Sequence, residues 1–356
     1  MTPEPFAGKL VKLTMPEPDA GACGTQGGGV AHLMIRELIA GVDIGGTKIA
    51  LALSDAEGRI VSSRRFATRV ERGPHEIVSE AIAEIGRMAA ETSARVVAAG
   101  VGCGGPLDRR LGLILSPPNL PGWDEFPIVE MLGERLGVPV VLDNDANAAA
   151  LGENLYGAGR GMSDLVYLTI STGIGGGIIA GGRLVYGVYD GAGEFGHMTV
   201  LPGGPPCGCG ARGCLEALCS GTGIARRARE RLADGAQSSM AELAGGAERV
   251  TAATVAEAAR AGDPLAAEIW DETIRHLAVG VGNVVVALAP EAVILGGGVS
   301  TAGEQLFGPL RRLVRERVRM LPPEHVRVLQ AELGGDSGLR GALVLGLRAL
   351  EQSRAG

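Results

Sequence analysis

The sequence predicts an α/β protein of two lobes that close on a central cleft. The first observation is a repeated unit: residues 39–53 read as a strand, a Gly45-Gly46-Thr47-Lys48 turn and a second strand, with a third strand over 59–67. The pattern restarts with a strand at 165–170, a glycine turn at 171–177, a strand at 178–180 and another at 183–186. The second observation lies between the two units, where a strand at 138–142 delivers Asp143-Asn144-Asp145 onto the opening turn of a helix over 146–155. The third is size. A chain of 356 residues is too long for one ordinary core, and 46% hydrophobic content is ample for two.

The other elements follow in order. Residues 76–90 place Ile77, Ile82, Ile85 and Met88 at helical spacing, and 96–101 form a short buried strand ending in the loop Gly102-Cys103-Gly104-Gly105-Pro106. A short helix is expected at 129–136. Beyond the second unit, 215–233 read as one helix, Thr254 with Glu257 gives a capping signature, and Asp263-Pro264 opens a long apolar helix to about residue 288. A buried strand at 292–295, the turn Gly296-Gly297-Gly298, a helix from Leu306, a strand at 326–330 and a helix at 339–350 complete the chain. The lobes are expected to span 39–148 and 149–338, with the closing helix within 339–356 packing back on the first. Residues 1–38, rich in Pro, Gly and Thr without a hydrophobic period, are expected to be a disordered or non-native extension, with translation beginning at Met34.

Composition narrows the partners. With 40 acidic and 33 basic residues the net charge is −7, which opposes nonspecific attraction to nucleic acid or anionic lipid. The most apolar stretch, 277–288, is interrupted by Gly280, Gly282 and Asn283 and falls short of the roughly 20 residues that span a bilayer. A small-molecule partner, no membrane segment and a cytoplasmic location with reduced Cys23, Cys103 and Cys219 are expected.

The glycine turns suggest phosphate binding. In Asp43-Ile44-Gly45-Gly46-Thr47-Lys48 the glycines let backbone N–H groups approach phosphate oxygens, Thr47 adds a hydroxyl, Lys48 a positive charge, and Asp43 can hold Mg2+ through water. Thr172, Gly173 and Gly175 repeat the arrangement in the second unit, and Gly296, Gly297 and Gly298 suit close approach by a nucleoside. Neither the P-loop nor the Rossmann fingerprint is present. Asp145, at a helix start, either caps its helix or serves as general base for a hydroxyl attacking the terminal phosphate of ATP. Two glycine turns in the same cleft favour the base, with Asp143 the second choice.

The segment from Glu194 to Glu216 carries the most specific pattern. His197, Cys207, Cys209 and Cys214 offer one imidazole and three thiolates amid turn residues, a closed tetrahedral set for structural Zn2+, although a redox cluster or packing thiols share the spacing. Glu194 and Glu216 stand at its ends, where they can accept hydrogen bonds from sugar hydroxyls. Two lobes with facing glycine turns and a sugar site describe the architecture of actin-like sugar kinases.

From residue 39 onward the sequence resembles the ROK family of repressors, uncharacterised reading frames and sugar kinases. The resemblance rests on Asp43 to Lys48, Asn144-Asp145, Ser171 to Gly177, the Glu194 to Glu216 segment and Gly296 to Gly298. It implies a two-lobed actin-like ATPase (ribonuclease H-like) sugar kinase fold, zinc on His197, Cys207, Cys209 and Cys214, Asp145 as base, and sugar contacts from Asn144, Asp145, Glu194, His197 and Glu216. Ser116 to Trp123 looks like the sugar-side loop of glucokinase-type members, with Asn119 on a ring hydroxyl. Gly104-Gly105-Pro106 stands where many relatives have Pro-Gly-Pro, which places Gly105 beside the sugar and leaves substrate choice less fixed than reaction class. Glucose phosphorylated at its 6-hydroxyl is the expected reaction; N-acetylglucosamine, N-acetylmannosamine and fructose are the nearest rivals. The resemblance also implies a homodimer or homotetramer. Two further readings are a sugar-sensing repressor, for which the region before Ile39 is too short to hold a helix-turn-helix, and a zinc-stabilised ATPase with no sugar, which leaves Glu194 and Glu216 unexplained.

Overall fold

A computed structural model describes residues 36–355 of the chain; the expectations for residues 1–35 lie outside them. The described residues begin as a strand, β1 (Arg36–Ile44), so residues 36–38, expected within the extension, are part of the first sheet. Leu38 is fully buried, Arg36 pairs with Asp55 at 3.3 Å, and the Arg36–Leu38 register with Ala94–Val96 is regular.

Two five-stranded sheets share one plan. In the first, β1 is followed by β2 (Lys48–Ser54), β3 (Ile60–Ala67), β4 (Ala94–Cys103) and β7 (Val140–Asn144), in the order β3-β2-β1-β4-β7. Between β4 and β7 lies a small hairpin, β5 (Leu107–Asp108) and β6 (Leu113–Ile114), too short for its pattern to show in the sequence. The second sheet, β8 (Leu165–Ile170), β9 (Ile174–Ala180), β10 (Arg183–Leu184), β11 (Ala292–Gly296) and β12 (Val328–Gln330), runs in the order β10-β9-β8-β11-β12. Each opens with an antiparallel hairpin, β1/β2 or β8/β9, and grows on the other side by parallel pairing. The restart read in the sequence is therefore a repeat of topology.

Helices α1 (Pro74–Glu91) and α2 (Ile128–Leu136) cover the first sheet; α4 (Leu215–Cys219), α5 (Gly221–Ala233), α6 (Met240–Ala244), α7 (Ala252–Arg260), α8 (Pro264–Leu288) and α9 (Glu304–Arg317) accompany the second. Helices α3 (Asp145–Tyr156) and α10 (Ser337–Ala355) pack together, and Leu339 and Leu343 of α10 share a core with Ile39, Ala50 and Ala52 of the first sheet. Buried Glu153 of α3 accepts backbone N–H bonds from Ala158, Glu332 and Leu333 and the Ser337 hydroxyl, which ties α3 to the start of α10. Among the described residues no helix is long and apolar enough to cross a membrane.

Three local expectations are corrected. The helix expected over 215–233 is two, because Ser220 is extended (φ −69°, ψ 163°) and its hydroxyl caps Gly223 N–H at 3.0 Å. The capping box belongs to Thr251 and Thr254 rather than Thr254 and Glu257, so α7 starts three residues earlier. Asp263 does cap α8, accepting from Ala266 N–H at 2.9 Å, and this bond, with those from Ser239 and Ser238, outweighs desolvation and lowers its pKa to about 2.

The third correction bears on the site. Gly175, Gly176 and Gly177 are not a turn but the body of β9. Their missing side chains admit neighbours on both faces, since alternate residues of a strand face opposite ways. A Cβ on Gly177 would lie 2.8 Å from Ala150 Cβ and 2.9 Å from the Ala146 carbonyl of α3, and one on Gly176 would lie 2.5 Å from the Phe195 ring. Gly177→Ala is expected to destabilise the protein by about 1–3 kcal/mol, because helix backbone must move. Thermal melts check this, and an unchanged midpoint would show that α3 is not seated against β9.

Candidate active site

Asp143 ends β7 and Asp145 opens α3, with Asn144 between them. Asn144 is the N-cap: its Oδ1 accepts from Ala146 N–H at 2.9 Å and from Asn147 N–H at 3.4 Å. The capping alternative for Asp145 is thereby taken over by its neighbour. Asp145 Oδ1 accepts only the adjacent Ala146 N–H, at 2.8 Å, and a Cβ placed on Gly104 would lie 3.7 Å from Asp145 Oδ2 and 4.0 Å from Asn119 Nδ2. Asp145 is half-buried; desolvation raises its pKa, the Ala146 N–H opposes the rise, and the Glu194 charge adds to it. Asp143 is nearly inaccessible and accepts three hydrogen bonds, which commits it to structure.

The first glycine turn lies close by. Gly45 N–H donates to the Lys48 carbonyl at 3.0 Å, and the buried Thr68 hydroxyl donates to the Gly45 carbonyl at 2.6 Å. Thr47 and Lys48 are exposed, and Gly46 touches Asn119, whose carbonyl oxygen lies 2.6 Å from where a Gly46 Cβ would stand. Asp43 has its pKa raised to about 6, first by burial and then by Asp145, with Lys48 opposing. A carboxylate whose ionisation is disfavoured by burial and by a neighbouring acid is suited to a cation beside it.

On the opposite side, Glu216 Oε2 accepts from Ile174 N–H at 2.8 Å, fixing the segment to the turn before β9. That turn is also held by Gly221 N–H on the Ser171 carbonyl, 2.7 Å, and by the Thr222 hydroxyl on the Thr172 carbonyl, 2.7 Å. The break between α4 and α5 is what brings Gly221 and Thr222 there. Glu194 Oε2 lies 3.8 Å from His197 Nε2.

His197, Cys207, Cys209 and Cys214 come together with all ligand atoms within 4.8 Å of one another. Cys207 Sγ lies 3.6 Å from His197 Nδ1, and Cys209 Sγ 3.8 Å from Cys214 Sγ. A tetrahedron built on zinc bond lengths of about 2.3 Å to sulfur and about 2.05 Å to nitrogen has edges of about 3.8 Å between sulfurs and about 3.6 Å between sulfur and nitrogen. The four donors therefore fit zinc through Nδ1, which leaves Nε2 facing Glu194.

A cavity of about 650 Å³ opens beyond the second turn, lined among others by Ser171, Thr172, Thr222, Arg229, Glu257 and Gly298. Of the three glycines there, Gly298 has open space over its Cα, whereas Gly296 abuts Tyr167 and Gly297, at φ 83°, abuts the Ile170 carbonyl. Gly105 lies by Asn144, its Cβ position 3.7 Å from Nδ2. Glu257, expected as a capping partner, lines this cavity instead, and Thr68, Thr222 and Arg229 carried no expectation. Helix–loop residues of these types carry no local pattern, and the sequence reads as continuous helix across the break at Ser220 that places Thr222.

Two like-built sheets, each with a hairpin turn directed to a shared acid-bearing helix, define the two-lobed actin-like ATPase class of sugar-kinase fold. The chain belongs to the ROK family, whose model matches residues 39–349. It is 41% identical over 303 residues to a glucokinase of Thermotoga maritima, covering 85% of this chain and 95% of that one. Among solved structures it resembles the ROK hexokinase of Thermus thermophilus (37% identity, TM-score 0.77, 90% of this chain and 100% of that chain). It also resembles the ROK family glucokinase of Streptomyces griseus in complex with glucose and AMPPNP (39% identity, TM-score 0.74, 87% and 99%).

Proposed function

We propose that the chain is an ATP-dependent glucokinase that transfers the terminal phosphoryl group to the 6-hydroxyl of glucose. The observation that carries the reading is Asp145: a half-buried carboxylate with raised pKa, released from capping by Asn144 and near enough to Asp43, at the first glycine turn, to raise that residue's pKa as well. A base with pKa raised toward neutrality can take the hydroxyl proton as the sugar oxygen forms its bond to phosphorus and ADP departs. The glucokinase of Thermotoga maritima and the glucose and AMPPNP complex of the Streptomyces griseus enzyme support the same substrate pair.

In this reading Asn119, Asn144 through Nδ2, Glu194, His197 through Nε2, Glu216 and the Gly105 backbone surround the sugar. Gly45, Gly46, Thr47, Lys48, Thr172 and Gly173 face the phosphates, Gly175, expected with them, is strand packed on α3 instead, and the cavity at Gly298 takes the nucleoside, with Gly296 and Gly297 shaping its wall. Asp43 would hold Mg2+ through water, and magnesium bound with ATP neutralises phosphate charge. His197, Cys207, Cys209 and Cys214 would hold a structural zinc that fixes the Glu194–Glu216 segment. The reading includes lobes over 39–148 with the closing helix, and 149–338, a homodimer or homotetramer, and a cytoplasmic setting that keeps the thiols reduced.

A coupled ADP-release assay with magnesium and ATP, run on glucose, mannose, fructose, N-acetylglucosamine and N-acetylmannosamine, tests it. The highest kcat/KM is expected for glucose. A higher value for an amino sugar or fructose would reassign the substrate, and silence from folded, ATP-binding protein would remove the kinase reading.

A further inference from the structure

Behind the acid-bearing turn lies a cluster that the reaction as described does not use. Asp143 Oδ1 accepts from Asn144 N–H at 2.8 Å and from Asn147 Nδ2 at 2.9 Å, while Oδ2 accepts the Tyr186 hydroxyl at 2.8 Å. Tyr186 follows β10, so this bond joins the last strand of the first sheet to the hairpin side of the second. Arg109, from the β5–β6 hairpin, lies over the Tyr186 ring with its guanidinium carbon 3.7 Å from the centroid, and pairs with Asp190 at 3.3 Å. Both partners of that pair are largely withdrawn from water, with 27% and 22% of their side chains exposed. Next to it, Tyr189 and Asp190 are consecutive non-glycine residues with φ of 56° and 55°. Of the two, Asp190 is held by its pair with Arg109, whereas the Tyr189 side chain is fully exposed.

Each piece leads into a different wall of the active site. β7 leads to Asn144 and Asp145; the segment after Tyr186 leads within eight residues to Glu194 and on to His197; the hairpin leads to the loop bearing Asn119. Asp143 is held by its backbone neighbour, by α3 and by Tyr186, so a change at Tyr186 reaches the cap of α3 through one carboxylate.

We propose that Tyr186, braced by Arg109, is a positioning residue for phosphoryl transfer, which aligns Asp145 with the Glu194–His197 wall through its hydrogen bond to Asp143. The inference rests on the proposed kinase reading of the site. Tyr186 touches neither substrate; it acts on the distance between base and hydroxyl, where a misplacement of about 1 Å costs on the order of 100-fold in rate.

The test is Tyr186→Phe in the full chain, which removes one oxygen and keeps the ring under Arg109. kcat for the preferred sugar is expected to fall about 10- to 100-fold, with sugar affinity by calorimetry and ATP KM within about threefold of wild type. Asp143→Asn and the double variant complete a cycle. If Tyr186 acts through Asp143, the double variant loses no more than Asp143→Asn alone, whereas multiplying losses overturn the proposal. Amide hydrogen exchange over residues 144–148, readable without any substrate, should quicken in Tyr186→Phe. Wild-type protein that phosphorylates no sugar sinks the kinase reading. Unchanged kcat beside an active wild type, or unchanged exchange, sinks the positioning role.

Discussion

Asp145→Asn will lower kcat by about 10²- to 10⁴-fold while leaving the fold and sugar affinity near those of wild type. The range is that of a general base removed from a reaction whose other acceleration comes from positioning and charge neutralisation. The amide keeps the shape and can still accept from Ala146 N–H, and the α3 cap belongs to Asn144, so no helix stability is at stake. Desolvation already raises the Asp145 pKa, so in wild type the acid limb of the kcat profile should lie above the ordinary carboxylate range, and it should vanish in the variant. Steady-state kinetics over pH decide it. Near-normal turnover would take the base role from Asp145. Asp143, nearly inaccessible and holding three donors, could not inherit it without unfolding the turn, so that outcome would point to proton transfer by the substrates themselves.

Removal of the proposed zinc, by chelation or by Cys214→Ser, should raise the sugar KM about 10- to 100-fold before it alters ATP binding. Cys214 is fully buried and is the N-cap residue of α4, one position before Leu215, which is also fully buried, and two before Glu216. Glu216 in turn holds Ile174 N–H at the root of β9. Loosening the four donors therefore frees Glu216 and the His197 ring together, while the turn at Gly45 and the cavity at Gly298 keep their own anchors, Thr68 and the strand ends. Metal content by mass spectrometry beside sugar titration checks the order of events. Unchanged sugar affinity in protein verified metal-free would show that the loop stands without zinc.

The fold was legible where periodicity or punctuation is strong. Asp263-Pro264 announced α8, and the repeated strand–glycine–strand unit announced two like sheets. The residues of the metal cluster stood out by type and spacing alone, since few structural roles call for one histidine and three cysteines so close together. Legibility failed where tertiary contacts decide the outcome. Gly175 to Gly177 carry the composition of a turn yet form a strand, because glycine there answers neighbours distant in sequence. Glu153 looks like any acid on a helix, and only the loop at 332–333 shows it to be buried and saturated. Tyr186 gave no signal, since its partner Asp143 lies 43 residues away on another sheet.

The bare middle of β9 also sets a scale for the site. With α3 resting on one face, and the Phe195 ring and the Gly193 carbonyl on the other, the helix that bears Asp145 and the segment that bears Glu194 close on a stretch of strand that has no side chains of its own. Any side chain added in that stretch would push one wall away from the other. Sugars of different bulk must then be accommodated from the other walls, at Gly104, Gly105 and Asn119, and selection for a new substrate should leave β9 untouched while rewriting those loops.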